Sequence, residues 1–427
     1  MSAPRSLSDV VTNGLCVGCG LCQGMAGRDR IELRLNDEGY LRPSIRKPLD
    51  VALERRILAV CPGAVIEGPR NIVRNDPVWG PVGTVWRAQA ADDELRHRGS
   101  SGGVLTALAL DLLEAGRIDA VLHVGPDPDR PMRSLARVST DRAGLLAGIG
   151  ARYNPAAPLT EIHRLAQIGT RFVLIGKPCD VAAAKRLART ELMIASHMVA
   201  AFAFFCAGVP SHTISQSVVG KYGLSEDDVT LLRYRGNGCP GPTRIEAGSR
   251  AFEQSYDETW SDELSQEIQF RCKICPDATG ETADIACCDA WITADGLAHG
   301  TYEDWNAVLP RTQRGAEIFG SAMKRGVLRG NEIDIRDLAR MQPHQVERKT
   351  AVAARRLGAK LAGIPTPHMP ALGIWRAAFA APRAFLSNAI GTFRRVRRGR
   401  NRETLPIAHV VEPRTETEQH QRMADVA

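Results

Sequence analysis

The chain has 427 residues and a formal net charge of +7, and its length exceeds what one hydrophobic core usually serves, so two or three domains are expected. Eleven cysteines are too sparse for a secreted disulfide scaffold, and the opening MSAPRSLSDV carries no apolar signal-peptide core, so a reducing, cytoplasmic setting is expected. The longest apolar stretch, Met198 to Pro210, is too short to span a bilayer.

Residues 1–80 read as a small cysteine-bearing module with few helix signals. Cys16, Cys19 and Cys22 (CVGCGLC) hold three thiols on one tight loop whose Gly18 and Gly20 let the backbone wrap a cube of iron and sulfide, and Cys61-Pro62 follows as a fourth ligand. This is the spacing of a [4Fe-4S] site. Structural zinc also takes thiolates, but usually from two paired C-x2-C units rather than three cysteines in series.

Residues 81–166 read as α/β. VWRAQAA is strand-like, Arg98 to Gly116 is a loop feeding an amphipathic helix, and DAVLHVG (119–125) is a buried strand. The loop Arg98-Gly99-Ser100-Ser101-Gly102-Gly103 precedes the helix, where free backbone N–H groups favour a phosphate or another anion. An ordinary serine N-cap is the competing reading.

Residues 167–345 read as a second α/β section, with RFVLIG (171–176) as a strand, a helix from Asp180 to Arg189, and the Met198 strand after it. Cys179 and Cys206 fall just after the first and second of these strands, and the carboxyl ends of such strands face a common crevice. Together with Cys272 and Cys275 (FRCKIC) they make a second four-thiolate set, the alternative for Cys206 being a buried small hydrophobe. Cys239 (RYRGNGCPGP) and the adjacent Cys287 and Cys288 are spare candidates, the adjacent pair ranking low.

The charge is uneven. From Arg348 onward there are 15 basic and 5 acidic residues, leaving the preceding body mildly acidic. Residues 346–427 therefore form a basic tail. Its prolines break any long helix, and Phe385 to Arg400 reads as a disordered, solvated segment or a short basic amphipathic helix.

Several stretches together resemble a known family, the beta subunit of coenzyme F-420 (deazaflavin) hydrogenase/dehydrogenase, which also contains ferredoxin-dependent 7-hydroxymethyl chlorophyll a reductases. They are RHRGSSGGVLTALALDLLEAGRIDAVLHV, ARYNPAAPL, FVLIGKPCDVAAAKRL, FFCAGVPS, RYRGNGCPGP and FRCKICPDATGETADIACCDAW, spanning roughly residues 14 to 345 in the family's order. Cys61, about forty residues after Cys22, looks more like the chlorophyll-reductase branch, since the common ferredoxin spacing would put a cysteine where this chain has Ala26. The resemblance implies a mixed α/β flavin-binding core, two [4Fe-4S] clusters and FAD.

The implied activity passes single electrons from a ferredoxin-like donor through clusters and flavin to a two-electron substrate, a small molecule or a deazaflavin. In that reading Ser100, Ser101, Gly102 and Gly103 seat the FAD, and Arg152, Tyr153 and Lys177 contact substrate or flavin. No proton-donating residue is legible. A non-catalytic electron-transfer subunit of a larger complex and a zinc-stabilised binding protein are the alternatives. A homo-oligomer is expected, as is weak contact of the basic tail with an anionic membrane or an acidic protein, without specific nucleic-acid binding.

Overall fold

A computed structural model describes residues 3–70, 75–291 and 304–406. Its centre is an eight-stranded mixed sheet, whose strands in chain order are β1 (Val85–Ala90), β2 (Ala120–Pro126), β3 (Ser134–Ser139), β4 (Phe172–Gly176), β5 (Met198–Phe204), β6 (Ile285–Asp289), β7 (Asn306–Pro310) and β8 (Leu328–Ile333). Across the sheet they run β8-β1-β7-β6-β5-β4-β2-β3. The middle strands β6, β5, β4 and β2 are parallel to one another, and the remaining pairings are antiparallel. The two α/β sections legible in the sequence thus share one sheet, because β1 lies between β7 and β8 and β2 lies beside β4.

The apolar runs of β2, β4 and β5 reflect burial on both faces, as parallel strands require. On one face Val121, Val173, Ala200 and Phe202 pack against the helices Val104–Glu114 and Gln313–Lys324. On the other, Leu122, Leu174, Ala201 and Ala203 pack against the helix Pro178–Ala188 and against Val17, Cys19 and Leu21 of the N-terminal cysteine loop. That loop is therefore part of the core rather than an appended module.

Three short helices build the N-terminal region, Leu7–Thr12, Leu21–Ala26 and Val51–Val60, together with the hairpin Ile31–Leu35 and Leu41–Ile45. Two of them are opened by oxygen caps: Ser6 accepts from the Asp9 N–H at 3.0 Å and Asp50 from that of Leu53 at 2.8 Å. The sequence reading found few helix signals here because each helix is brief, and caps rather than periodicity mark them.

The basic C-terminal segment is not a solvated coil over its described length. It contains the helices Pro343–Leu361, Ile374–Phe379 and Phe385–Arg397, and Val352, Ala353, Ile374 and Ala378 pack on Ile66 and Ala182 of the body. The first of these begins at Pro343, where proline is compatible with a helix start, so the prolines delimit helices rather than prevent them. Beyond them, Glu403 forms a buried ion pair with Arg42 of the N-terminal hairpin. Residues 407–427 of the predicted tail lie outside the described residues. Among the described residues no helix is long and apolar enough to cross a membrane.

Candidate functional site

Cys16, Cys19, Cys22 and Cys61 line one cavity together with Val10, Pro43, Ile57 and Pro62. The loop can close around it because Gly18 and Gly20 adopt φ of 71° and 82°. A side chain at Gly20 would also stand 2.6 Å from the Thr160 methyl. Cys61 arrives from the end of the helix Val51–Val60, where its N–H bonds the Ile57 carbonyl at 2.9 Å. Burial pushes all these thiols above the ordinary range, Cys61 to about 11.

Cys179, Cys206, Cys272 and Cys275 converge in the same way from three separate segments. Cys179 sits in the first turn of the helix that follows β4, and Cys206 lies just past the end of the neighbouring parallel strand β5. Cys206 faces Cys272 and Cys275, and Cys179 faces Cys206 and Cys275. Burial raises the Cys206 thiol to about 12 and raises Cys179 and Cys275 as well. The spare cysteines lie elsewhere. Cys287 and Cys288 are buried within β6, packed into the apolar cores of opposite faces. The Cys239 sulfur accepts from Trp291 Nε1 at 3.3 Å.

Three cations lie between the two thiol sets. Arg42 faces Cys16 and donates at 3.0 Å to Gln269 Oε1, while Gln269 Nε2 donates at 3.2 Å to Cys272 Sγ. Lys177 pairs with Asp180 at 2.7 Å, and Asp180 faces both Cys19 and Cys179. Arg271 faces Cys61 and Cys275 and donates to the Pro62 carbonyl at 3.0 and 3.3 Å. Arg271 is 1% exposed, yet among the described residues no carboxylate is within ion-pair distance of it. A buried guanidinium without a counter-charge is costly, so the region between the sets is built to receive negative charge.

Among the described residues no group of three or more His, Cys, Asp or Glu is drawn around a single metal ion. The donor sets consist of thiols alone, on a left-handed glycine loop and at strand ends. A cube presents a separate iron to each thiolate, so its ligands stand apart, and the cysteine sets with intervening buried cations fit such an anion.

The residues expected from the sequence to contact flavin are held by bonds within the chain. Val104, the first residue of its helix, donates its N–H to Asn306 Oδ1 at 3.3 Å, and Gly103 is the left-handed residue before it. A Cβ on Gly102 would come within 2.9 Å of the Asn306 nitrogen and 3.0 Å of the Ala88 carbonyl. A side chain at Gly102 would thus crowd the neighbouring strands, and Asn306 rather than a serine side chain takes the Val104 N–H at the helix start. Ser101 Oγ donates to the Trp305 carbonyl at 2.8 Å, and Arg98 pairs with Glu94 at 3.2 Å. Arg152 donates to the carbonyls of Pro131, Met132, Arg133 and Leu232 and to Ser134 Oγ, so it clamps the backbone of these segments.

Tyr153, in contrast, belongs to a polar aromatic site that the sequence reading missed. Its hydroxyl accepts from Arg235 Nη1 at 3.2 Å, and Arg235 also pairs with Asp289 at 3.1 Å at the carboxyl end of β6. The Arg235 guanidinium lies 4.9 Å from the Tyr256 ring centre and 4.7 Å from that of Trp291, and it donates to the Ser100 carbonyl. Arg235 lies inside the glycine-rich RYRGNGCPGP, which does not by itself mark an aromatic site.

Comparison with known proteins places this core. Residues 169–335 match the C-terminal region of the family described as coenzyme F-420 hydrogenase/dehydrogenase, beta subunit, and residues 85–163 match the N-terminal region of the same family. The chain belongs to the coenzyme F-420 hydrogenase/dehydrogenase beta-subunit family. It is 23% identical over 275 residues to the coenzyme F-420 hydrogenase subunit beta of Methanosarcina barkeri, covering 61% of this chain and 85% of that protein. It is also 23% identical over 245 residues to the coenzyme F-420-dependent sulfite reductase of Methanocaldococcus jannaschii, covering 54% of this chain but only 36% of that protein. A chain of the F-420-reducing [NiFe] hydrogenase complex from Methanosarcina barkeri shares the fold, with a TM-score of 0.50, 20% identity, and coverage of 65% of this chain and 96% of that one. All three thiol-bearing segments of the second set fall within the beta-subunit match, whereas Cys16, Cys19, Cys22 and Cys61 and the C-terminal helices lie outside it.

Proposed function

We propose that this beta-subunit relative is an iron-sulfur flavoprotein oxidoreductase that takes single electrons through two [4Fe-4S] clusters and exchanges two electrons with an organic substrate or a deazaflavin. Cys16, Cys19, Cys22 and Cys61 would hold one cluster, and Cys179, Cys206, Cys272 and Cys275 the other. The observation that carries the reading is Arg271, buried between the sets with no carboxylate partner among the described residues, since a thiolate-ligated cluster would supply the missing negative charge. Bound clusters would supply one-electron transfer and keep the thiolates deprotonated despite burial. Arg42, Lys177 and Arg271 would offset the resulting charge, and the apolar lining around Cys19 would exclude water.

FAD is the two-electron partner implied by the resemblance. The Ser100 to Gly103 turn, where Asn306 takes the first N–H of the helix, and the aromatic site of Tyr153, Arg235, Tyr256 and Trp291 are the candidates for its contacts. A second reading, a redox subunit acting only inside a larger complex, is favoured by the structural neighbour's place in a hydrogenase assembly.

The test is anaerobic purification followed by iron, sulfide and released-flavin quantification with visible spectra. Cys19→Ser and Cys275→Ser are each expected to lose about half of the iron, one cluster's share, with flavin retained. Zinc in place of iron, with no visible absorption, would overturn the reading. Turnover that appears only with a copurifying partner would select the second one.

A further inference from the structure

The loop that carries Cys272 is also the floor of a cationic groove. Lys273, Arg355 and Arg395 line this groove with Ser387, Asn388, Gly391 and Thr392, so one wall is the helix Phe385–Arg397 and the other combines the cysteine loop with the helix Pro343–Leu361. The long helix grips the cysteine loop directly. Arg348 Nη2 donates to the Cys272 carbonyl at 3.0 Å and Arg355 Nη1 to the Lys273 carbonyl at 3.1 Å. The groove is therefore one residue away from a member of the second thiol set.

Its charge is unbalanced. Arg395, Arg400 and Arg355 crowd Lys273, and among the described residues Lys273, Arg395 and Arg400 form no ion pair with a carboxylate. Like charges held together on an open surface cost stability and are retained where an anion visits. Both walls supplied by the C-terminal helices lie beyond residue 335, where the beta-subunit match ends. The helices of the groove thus lie outside the matched family region, and they meet it at the Cys272 loop.

We propose that this groove docks a small acidic one-electron-carrier protein, bringing its redox centre next to Cys272. The inference rests on the cluster assignment above for its purpose, though not for its binding. Charge complementarity selects an acidic surface. Position on the Cys272 loop selects an electron carrier over a free anion or a lipid, neither of which gains anything from proximity to a thiol set.

The experiment uses the full chain, purified anaerobically, and a plant-type [2Fe-2S] ferredoxin of strongly negative net charge as probe. Binding of the oxidised ferredoxin is measured by calorimetry at several salt concentrations, with iron quantified on the same samples. Arg395→Glu combined with Arg400→Glu is expected to weaken binding at least about tenfold and to flatten its salt dependence, while the two Arg→Lys changes restore both. Reduction by reduced methyl viologen, a small cation, should not slow in the charge-reversed protein. Ferredoxin affinity unchanged by charge reversal overturns the proposal. Loss of pelleting with phosphatidylglycerol vesicles at unaltered ferredoxin affinity would also overturn it and make the face a lipid surface; saturable inorganic phosphate binding without ferredoxin binding would make it a small-anion site. If charge-sensitive docking persists in protein that contains no iron, the groove stands and the cluster assignment fails.

Discussion

Cys16, Cys19 and Cys22 occupy seven consecutive positions and need two left-handed glycines to face one cavity, whereas Cys179, Cys206, Cys272 and Cys275 meet only because β4 and β5 are parallel neighbours. The first set is a local device completed by one distant residue, Cys61. The second is a product of the sheet, and any change that shifts the ends of β4 and β5 moves two of its members together. Metal sites built locally tolerate damage to the scaffold better than sites assembled from distant segments, because fewer long-range contacts have to be correct.

The largest expected effect separates true members of the second set from bystanders. Cys206→Ser should remove about half of the bound iron, whereas Cys239→Ala, at the Trp291 contact, should leave the iron complement whole. Iron per chain measured on both variants checks this, and the opposite pattern would exchange the two residues.

Next in size is the link between the C-terminal segment and the first set. Glu403 is the carboxylate partner of the fully buried Arg42, which faces Cys16. Removing one partner of a buried pair strands the other charge, so Glu403→Ala should cost about 3 kcal/mol by denaturant unfolding. The loss should shrink when the clusters are present, because they bring negative charge of their own. An equal loss in iron-free and iron-loaded protein would mean that Arg42 does not sense the first set.

An effect of similar size, confined to acid, tests the sheet on which the second set depends. On β2, burial and then Arg137 hold the His123 imidazole down, from 6.5 to about 4. The unfolded chain takes up this proton as pH falls below about 6.5 and the folded one only near 4, so the contribution is complete above pH 6.5 and is lost as pH falls toward 4, by roughly 3 kcal/mol in all. His123→Asn should flatten that acid limb in thermal melts. In acid the wild-type protein should release iron of the second set before that of the first, which Cys19→Ser and Cys275→Ser backgrounds can distinguish. Simultaneous release would erase the contrast between local and assembled sites.

The smallest effect concerns the closed helix start. Asn306→Ala removes the acceptor of the Val104 N–H and the donor to the Cys288 carbonyl, and should cost about 1–2 kcal/mol with flavin content unchanged. Loss of flavin without loss of stability would assign the Gly102-Gly103 turn to cofactor binding.

Much of the central sheet was legible, because β2, β4 and β5 are continuous apolar runs of strand length ended by glycine, proline or a turn. The cysteine groups were legible too, since spacing fixes which thiols share a loop. The aromatic site around Arg235 was not: Tyr153, Arg235, Tyr256 and Trp291 are scattered over more than a hundred residues, and nothing local marks an arginine that will lie against two rings. The Ser-Gly turn was ambiguous for a related reason. A glycine that leaves room for a phosphate and one that leaves room for the chain's own backbone look the same in sequence, and the approach of Asn306 to this turn is a tertiary fact.

The sequence by itself determined the thiol donors, the apolar strands and the excess positive charge at the C-terminus, because each is a property of neighbouring residues. The tertiary structure decided which distant groups meet: Glu403 with Arg42, Arg271 between Cys61 and Cys275, and the basic helices folded onto the Cys272 loop. Those meetings depend on strand order and on burial summed over the whole chain, and burial is what turns an arginine from a soluble surface charge into a group that requires an anion.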